Sequence, residues 1–327
     1  MTQTRISLND VLVLSVRKGF WASRECDIFP NRIYPRRLVP IPGRLGSSRN
    51  PINNLSAALQ GYAFYLRHKP RIIIIGSANR IAPWFANFKK WGWLPDVKLV
   101  ASSQSYLTDN QVKWMECIIV YCSSEITTHA LSLQPRYKFI PLPADGPVDI
   151  YRNSPTGDFI FSGGGAGRDF AALIEAVRGT NIPLEIVTFS LKTLNYQGQL
   201  PDNVKVTWRV PLHQFINLMA SAKFVAIPLT PGSHPHGHTT VVQALSLGKA
   251  IISTSSASVD DYITQQKEGI LVSPSNVLDY RQAILEMSEN HLFRSQCEKY
   301  SREKIPQLSY QAYAERLAKL CQNLLST

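Results

Sequence analysis

Short, continuous runs of branched apolar residues recur along this chain, and they restrict its fold more than any other feature. Arg71–Gly76 reads RIIIIG, and similar runs lie at Asp10–Val16 and Phe224–Leu229. Runs without polar alternation predict strands buried on both faces, as in parallel sheets covered by helices. Segments with helical spacing of apolar residues separate them, as at Asn53–His68. This alternation predicts an α/β fold built on parallel sheets.

The chain length and one turn-rich segment predict two domains. The 327 residues are 44% hydrophobic and 18% charged, which is enough for two globular cores. Residues 144–157, ADGPVDIYRNSPTG, are rich in turn formers and are expected to link the domains. We therefore expect a first domain over residues 1–146, a second over 147–308 and a C-terminal helix over 309–327.

Apolar runs and cysteines indicate the compartment. No run reaches the roughly 18 residues that a membrane span needs. The first residues, MTQTRISLNDVLVLSV, include an acid and polar residues, unlike the apolar stretch of a signal peptide. The five cysteines form no CxxC pair, so reduced thiols in a cytoplasmic protein are expected.

Positive charge is concentrated in the first half. The formal net charge is +12; residues 1–150 have 19 Lys/Arg and 9 Asp/Glu, a net charge of +10, against +2 for residues 151–327. Residues 31–50 contain five arginines and three prolines, which indicates a long basic loop. An acidic partner is expected for this half: nucleic acid, an anionic membrane surface or a phosphorylated substrate.

A segment rich in aromatic residues, Ile81–Leu94, reads IAPWFANFKKWGWL. Tryptophans beside Lys89 and Lys90 on one short helix are typical of a membrane interface. The alternative is a helix that faces the core and leaves its lysine pair in solvent.

A glycine-rich turn follows the strand expected at Asp158–Ser162. It reads GGGAGRD and precedes a helix over Phe170–Val177. Consecutive glycines allow backbone N–H groups to converge on an anion, and Arg168 offers further donors to phosphate oxygens. A flexible turn with Arg168 in solvent is the alternative. A dinucleotide site is another, although the spacing is not G-x-G-x-x-G followed by a suitably placed acid.

A second turn, strand and helix lie at Pro231–Thr254, PGSHPHGHTTVVQALSLGKAIIST. Thr239 or Thr240 is expected to cap the helix, which Gly248 ends. The free N–H groups of its first turn predict a phosphate site, and a helix that is merely well capped is the alternative.

The stretch Gln243–Ile252, QALSLGKAII, resembles the donor-phosphate loop of GT-B glycosyltransferases, especially the retaining family 4 type. The resemblance implies two Rossmann-like domains with parallel sheets facing a central cleft, and a C-terminal helix that crosses back to the first domain. It also implies no metal or other cofactor. The Glu-x7-Glu motif of the family is divergent here. Its first glutamate falls on Pro235, and Gln243 replaces the second, which contacts ribose.

The resemblance also implies the site residues. Arg168 and His238 would be catalytic. In the family, "Leu-Pro-x-Asn-Val" precedes the segment that receives the base, and Trp208, Arg209 and Val210 occupy this segment here. Simple core packing is the alternative for Trp208. The donor would be bound by Gly163, Gly164, Gly165, Arg168, Trp208, Arg209, Val210, Gly237, His238, Thr239, Thr240 and Gln243.

Two groups outside that set have weaker patterns. Lys18 and Gly19 follow the first strand and would lie on the acceptor side, unless they form an ordinary turn. His234, His236 and His238 form an HPHGH cluster, which lacks a clear fourth ligand for zinc. We expect no metal there and a donor contact from His238, with surface loop histidines as the alternative.

The sequence thus predicts a hexosyltransferase that uses a UDP-sugar rather than a GDP-sugar and retains the anomeric configuration. The expected acceptor is a lipid or membrane-associated glycan precursor, and the basic first domain would contact the inner face of the membrane peripherally. The alternatives are an epimerase or phosphorylase of the same fold and a catalytically silent sugar-nucleotide-binding protein. No nucleic acid is expected as a partner, because the sequence has no aromatic-interleaved RNA motif or recognition helix.

Overall fold

The computed structural model describes residues 10–14, 52–76, 80–102, 107–144, 146–231 and 236–326, and the backbone of residues 32, 33 and 51. The chain divides into two compact units. The first consists of Met1–Ile140 and Ala314–Thr327, and the second of Pro141–Tyr313.

The first unit contains a parallel sheet of six strands among its described residues, in the order β2-β1-β3-β4-β5-β6. The strands are β1 (Val11–Leu14), β2 (Arg32–Ile33), β3 (Ile72–Ile75), β4 (Lys98–Ser102), β5 (Cys117–Val120) and β6 (Tyr137–Phe139). The helices are α1 (Pro51–His68), α2 (Ala82–Lys90), α3 (Asp109–Val112) and α4 (Ser124–Thr127), with a short 3-10 turn at Gln134–Arg136.

The four isoleucines of β3 are fully buried, as the uninterrupted apolar run predicts. Ile73 and Ile75 face the same core as Leu12 and Phe85. The basic segment 31–50 was expected to be a loop, but its two described residues, Arg32 and Ile33, pair with β1 as an edge strand.

The aromatic segment departs from the single helix expected over residues 81–94. Helix α2 ends at Lys90, and a turn with Gly92 at φ +78° follows. Phe85 and Phe88 are buried on α2, whereas Trp91 and Trp93 lie beyond it and are 52% and 44% exposed.

In the part of the second unit that the structure describes, six strands form a parallel sheet in the order β12-β11-β10-β7-β8-β9. The strands are β7 (Ile160–Gly163), β8 (Leu184–Thr188), β9 (Val204–Trp208), β10 (Phe224–Ile227), β11 (Ile251–Thr254) and β12 (Gly269–Val272). The helices are α5 (Val148–Tyr151), α6 (Phe170–Val177), α7 (Leu191–Leu194), α8 (Leu212–Ser221), α9 (His238–Ser246), α10 (Val277–Glu289), α11 (His291–Lys304) and α12 (Tyr310–Ser326), with a 3-10 turn at Ile305–Leu308. From Ala314 onward, α12 is part of the first unit.

This strand order determines where the second unit can bind a ligand. The chain runs outward from β7 to β9, then returns to β10 on the other side of β7. Read from β9 to β12, this is the strand order of the Rossmann fold, in which ligands bind at the carboxyl ends of the strands where the order reverses. The reversal lies between β7 and β10, so the turns after these two strands are the expected ligand site.

No helix among the described residues is both long and apolar enough to cross a membrane.

Candidate functional site

The turns after β7 and β10, which the sequence separates by about sixty residues, are joined by hydrogen bonds. Arg168 and Leu229 form an isolated antiparallel bridge. The Thr230 N–H donates to the carbonyl of Gly167 at 3.1 Å, and the Asp169 N–H donates to that of Pro228 at 3.1 Å. The glycine-rich turn and the segment that leads to residues 236–240, named here the histidine–threonine turn, therefore meet at the point where the strand order reverses.

Arg168 lies at the centre of this meeting point, and its side chain is only 7% exposed. Its Nε donates to the Gly163 carbonyl at 3.0 Å, and one terminal nitrogen donates to the Ala166 carbonyl at 2.9 Å. The other donates to Oγ1 of Thr240, on α9, at 2.9 Å. The alternative interpretation of the sequence, in which Arg168 lies in solvent, is therefore wrong.

The charge of Arg168 is not neutralised by any carboxylate in the described part of the chain. The adjoining residues outside the description, 232–235, are Gly, Ser, His and Pro and contain no acid. Burial lowers the pKa of the guanidinium to about 10, so the group is still charged at neutral pH. A buried cation without an anionic partner is costly, and an anionic ligand would offset that cost.

The glycines beside Arg168 provide space for its side chain. A Cβ on Gly164 would lie 2.6 Å from a terminal nitrogen of Arg168, and Gly164 has a φ of +121°. Its N–H donates to the Val187 carbonyl at 3.1 Å and so continues the sheet ladder. The Gly164 amide therefore does not take part in the expected convergence of three glycine amides on an anion. Glycine is required at this position for steric reasons.

The two helices that follow the turns begin differently. Asp169 caps α6, because its carboxylate accepts from the Ala172 N–H at 3.1 Å and from the Ser275 hydroxyl at 2.7 Å. Helix α9 begins after Gly237, at φ +88°, and has no side-chain cap. The first turn of α9 therefore has no capping side chain, whereas Asp169 already occupies the N-terminus of α6.

The sequence expectation that Thr239 or Thr240 caps α9 is wrong. Both lie within the first turn, since the helix starts at His238. The Thr240 hydroxyl accepts from Arg168 instead. Because a hydroxyl accepts and donates at once, its proton can still be given to a ligand.

His238 is the first residue of α9 and is 8% exposed. Burial, reinforced by the charge of Arg168 and by His236, lowers the pKa of His238 to about 4. The imidazole is therefore neutral at physiological pH and has one N–H donor and one acceptor nitrogen. It can act as a hydrogen-bond donor but not as a positive charge.

An exposed apolar surface adjoins the site on the β8–β9 side. Trp208 ends the edge strand β9 and is 40% exposed, so core packing, the alternative from sequence, is wrong. Phe189 is 61% exposed, and a Cβ on Gly165 would lie 2.4 Å from its ring. Arg209, at φ +53°, donates its N–H to the Thr188 carbonyl at 3.0 Å and its Nε to the Phe189 carbonyl at 3.1 Å. Val210, which follows, is half-buried.

The remaining predicted residues are placed as follows. Gln243 is 2% exposed on α9. Lys18, Gly19, His234 and Pro235 lie outside the described residues. Within the described ranges, no group of three or more His, Cys, Asp and Glu side chains could hold a metal ion.

Sequence reasoning missed three features of this site. Asp169 directly precedes a helix, which is the usual position of a capping carboxylate. Phe189 directly follows β8, so its position at the carboxyl edge of the sheet could have been predicted from the chain. Ser258, whose hydroxyl donates to the His236 carbonyl at 2.7 Å, had no local signal, because the two are 22 residues apart.

Comparison with known protein families gives a match in the second unit. Residues 173–304 match the family model "Glycosyl transferases group 1". No curated protein sequence matches the chain.

Several solved structures share the fold of nearly the whole chain. HepE from Anabaena, in complex with UDP-glucose, has a TM-score of 0.70 at 13% identity, with 96% of this chain and 99% of that chain covered. A glycosyltransferase from Rickettsia africae has a TM-score of 0.68 at 13% identity, with 96% and 90% covered. Sucrose-phosphate synthase from Thermosynechococcus elongatus has a TM-score of 0.65 at 15% identity, with 90% and 83% covered. At these identities the likeness concerns the fold. Taken together with the family match in its second unit, the shared GT-B fold supports a glycosyltransferase.

Proposed function

We propose that the protein transfers a hexosyl group from a UDP-sugar to a lipid or membrane-associated glycan precursor, with retention of the anomeric configuration and without a metal ion. The observation that carries this proposal is the buried guanidinium of Arg168 beside the uncapped N-terminus of α9. A nucleoside diphosphate has its charge on two adjacent phosphates, which matches a positive site with donors on two sides.

The diphosphate is the leaving group, and its stabilisation is the main task of the site. As the bond between the sugar C1 and the bridging oxygen breaks, the electron pair departs with the terminal phosphate. Arg168, the Thr240 hydroxyl and the first-turn amides of α9 would stabilise this growing charge. Because these groups supply the positive potential, the proposed reaction needs no metal ion.

Retention follows if the acceptor hydroxyl attacks C1 from the face that the diphosphate leaves. The acceptor oxygen then bonds to C1, and its proton passes to an oxygen of the departing phosphate. No protein base is required. His238, being neutral, would donate a hydrogen bond to the sugar or to the phosphate rather than remove a proton.

The base would lie over the exposed apolar surface next to Gly165. Phe189 and Trp208 offer ring faces to a heterocycle, and Arg209 and Val210 complete the segment that the family resemblance assigns to the base. We favour uracil because HepE, which shares the fold, binds UDP-glucose. Gln243 would contact ribose through its amide.

The donor is tested by incubating the protein with UDP- and GDP-sugars and lipid extracts. We expect transfer from a UDP-sugar. The anomeric coupling constant in the proton NMR spectrum of the product should show the same configuration as in the donor. An inverted product would exclude the mechanism proposed here, and transfer only from GDP-sugars would exclude uracil.

We also propose peripheral contact with the cytoplasmic face of an anionic membrane through the first unit. Its support is the exposed pair Trp91 and Trp93 beside the exposed Lys90, together with the positive charge of the first half. Lys89 does not contribute, because it forms an ion pair with Glu116 and donates to the Val97 carbonyl at 2.7 Å. The alternative interpretation of the sequence, in which both lysines lie in solvent, is therefore wrong for Lys89. The free thiols of Cys117, Cys122, Cys297 and Cys321 suit a reducing compartment.

Changing Trp91 and Trp93 to Ala should reduce sedimentation with anionic liposomes at low salt by about tenfold, because each ring loses its interfacial contact. Lys90→Glu should reduce it further, since the charge is reversed. Exposed Trp208→Ala, in the second unit, is the matched control. Equal sedimentation of all variants would show that Trp91, Trp93 and Lys90 do not contact the membrane, and no sedimentation of the wild type would argue for an acceptor in solution.

A further inference from the structure

The turn after β11 brings a row of hydroxyl groups and a carboxylate next to the histidine–threonine turn. The Ser258 hydroxyl donates to the His236 carbonyl at 2.7 Å, and the hydroxyls of Ser256 and Ser258 are 3.0 Å apart. Oδ1 of Asp260 accepts from the Ser256 N–H at 3.3 Å and from the Ser255 hydroxyl at 3.5 Å. These contacts fix residues 255–260, hereafter the serine–aspartate turn, against His236.

The serine–aspartate turn directly follows β11, at the carboxyl edge of the sheet. Strand β11 pairs with β10 on the side away from β7. The carboxyl edge of the sheet therefore presents an apolar surface after β8 and β9, a positive site after β7 and β10, and a hydroxyl-rich turn after β11. A nucleoside diphosphate sugar has the same sequence of chemistry: a flat base, two phosphates and a polyhydroxyl ring.

We propose that the serine–aspartate turn recognises the hydroxyl groups of the donor's sugar, and that Asp260 is the residue that determines which sugar is accepted. This inference rests on the proposed use of a nucleotide sugar. The turn would provide polar contacts with the sugar that Pro235 cannot provide, because proline has no polar side-chain atom.

The chemistry of Asp260 suits this role. A carboxylate accepts several hydrogen bonds, and those from sugar hydroxyls are strengthened by its charge. In the described part of the chain, both contacts of Asp260 fall on Oδ1, and the residue is exposed. Oδ2 can therefore accept from a ligand while Oδ1 maintains the conformation of the turn. A sugar whose hydroxyl is inverted would leave this bond unmade, which is an effective means of discrimination.

The test compares Asp260→Asn with the wild type by titration calorimetry against UDP, UDP-glucose, UDP-galactose and UDP-N-acetylglucosamine. The amide keeps the shape of the side chain but loses its charge. For the preferred sugar nucleotide we expect a Kd about 10- to 100-fold higher in the variant, with the Kd for UDP unchanged. The variant should also discriminate less among the three sugars.

Asp158→Asn is the matched control, because Asp158 is an exposed acid just before β7, at the opposite edge of the same sheet. It should leave all four affinities unchanged. Ser256→Ala, which removes a hydroxyl of the turn without touching the charge, should weaken sugar binding less than Asp260→Asn does. Unchanged sugar affinity and selectivity in Asp260→Asn, with normal UDP binding, would overturn this inference alone. Failure of the wild type to bind UDP would overturn the proposed function.

Discussion

Replacing Arg168 with Met should abolish the binding of UDP at millimolar concentration and lower turnover by about 10²- to 10³-fold, the usual cost of losing one donor to a developing oxyanion. Methionine fills a similar volume but has neither charge nor N–H groups. The variant loses the bonds to Gly163, Ala166 and Thr240 and also loses a cation that is costly to bury. Because these two changes oppose each other, we expect the unliganded protein to fold. The measurement is the shift of melting temperature with UDP, followed by single-turnover kinetics.

Arg178→Met is the matched control. Arg178 lies at the opposite end of α6 and pairs with Glu175, and its side chain is 42% exposed. It should lower stability slightly and leave the UDP-induced shift unchanged. If Arg168→Met shows the same UDP-induced shift as the wild type, Arg168 does not bind the diphosphate, and the proposed site is wrong.

The strands and the fold class could be predicted because their signal is local. The isoleucines of β3 are buried on both faces, and an uninterrupted apolar run has few other stable environments in a protein of this composition. The helix at Phe170–Val177 was predicted with its observed bounds, since its apolar positions share one face. The Rossmann-like architecture that the family resemblance implies agrees with the observed strand orders.

The contacts within the site could not be predicted, because they join residues that are far apart in sequence. Arg168 and Thr240 are 72 positions apart, and the sequence does not indicate that a threonine in the first turn of a helix accepts from a distant arginine rather than capping. In the same way, Lys89 is held by Glu116, 27 residues away, so composition alone overstated the lysines available to a membrane.

Local spacing also misplaced the end of one helix. The pattern of aromatic residues continues past Lys90, but Gly92 adopts a positive φ and the chain turns. Trp91 and Trp93 are therefore held by ring contacts with Phe88, not by helical geometry. Their exposure follows from the turn, and it is what makes them candidates for a membrane contact.

Gly164→Ala should have the second largest effect, because it disturbs Arg168 without changing it. The added methyl group would lie 2.6 Å from a terminal nitrogen and 2.9 Å from Cζ of Arg168, so the guanidinium must move. The φ of +121° adds backbone strain, since a residue with a Cβ rarely adopts it. We expect UDP affinity to fall by at least tenfold and the melting temperature to fall as well. Both are measured by thermal unfolding with and without UDP.

Gly179→Ala separates these two effects. Gly179 also has a positive φ, +73°, but a Cβ there would meet no atom within 4 Å. Its replacement should therefore cost backbone strain of about 1–2 kcal/mol and leave UDP affinity unchanged. If Gly164→Ala resembles Gly179→Ala and loses stability alone, then Arg168 tolerates displacement and its position is not what binds the phosphates. A selective loss of UDP affinity in Gly164→Ala would instead mean that this glycine serves the site by leaving room for the arginine, a role that the three consecutive glycines do not reveal in the sequence.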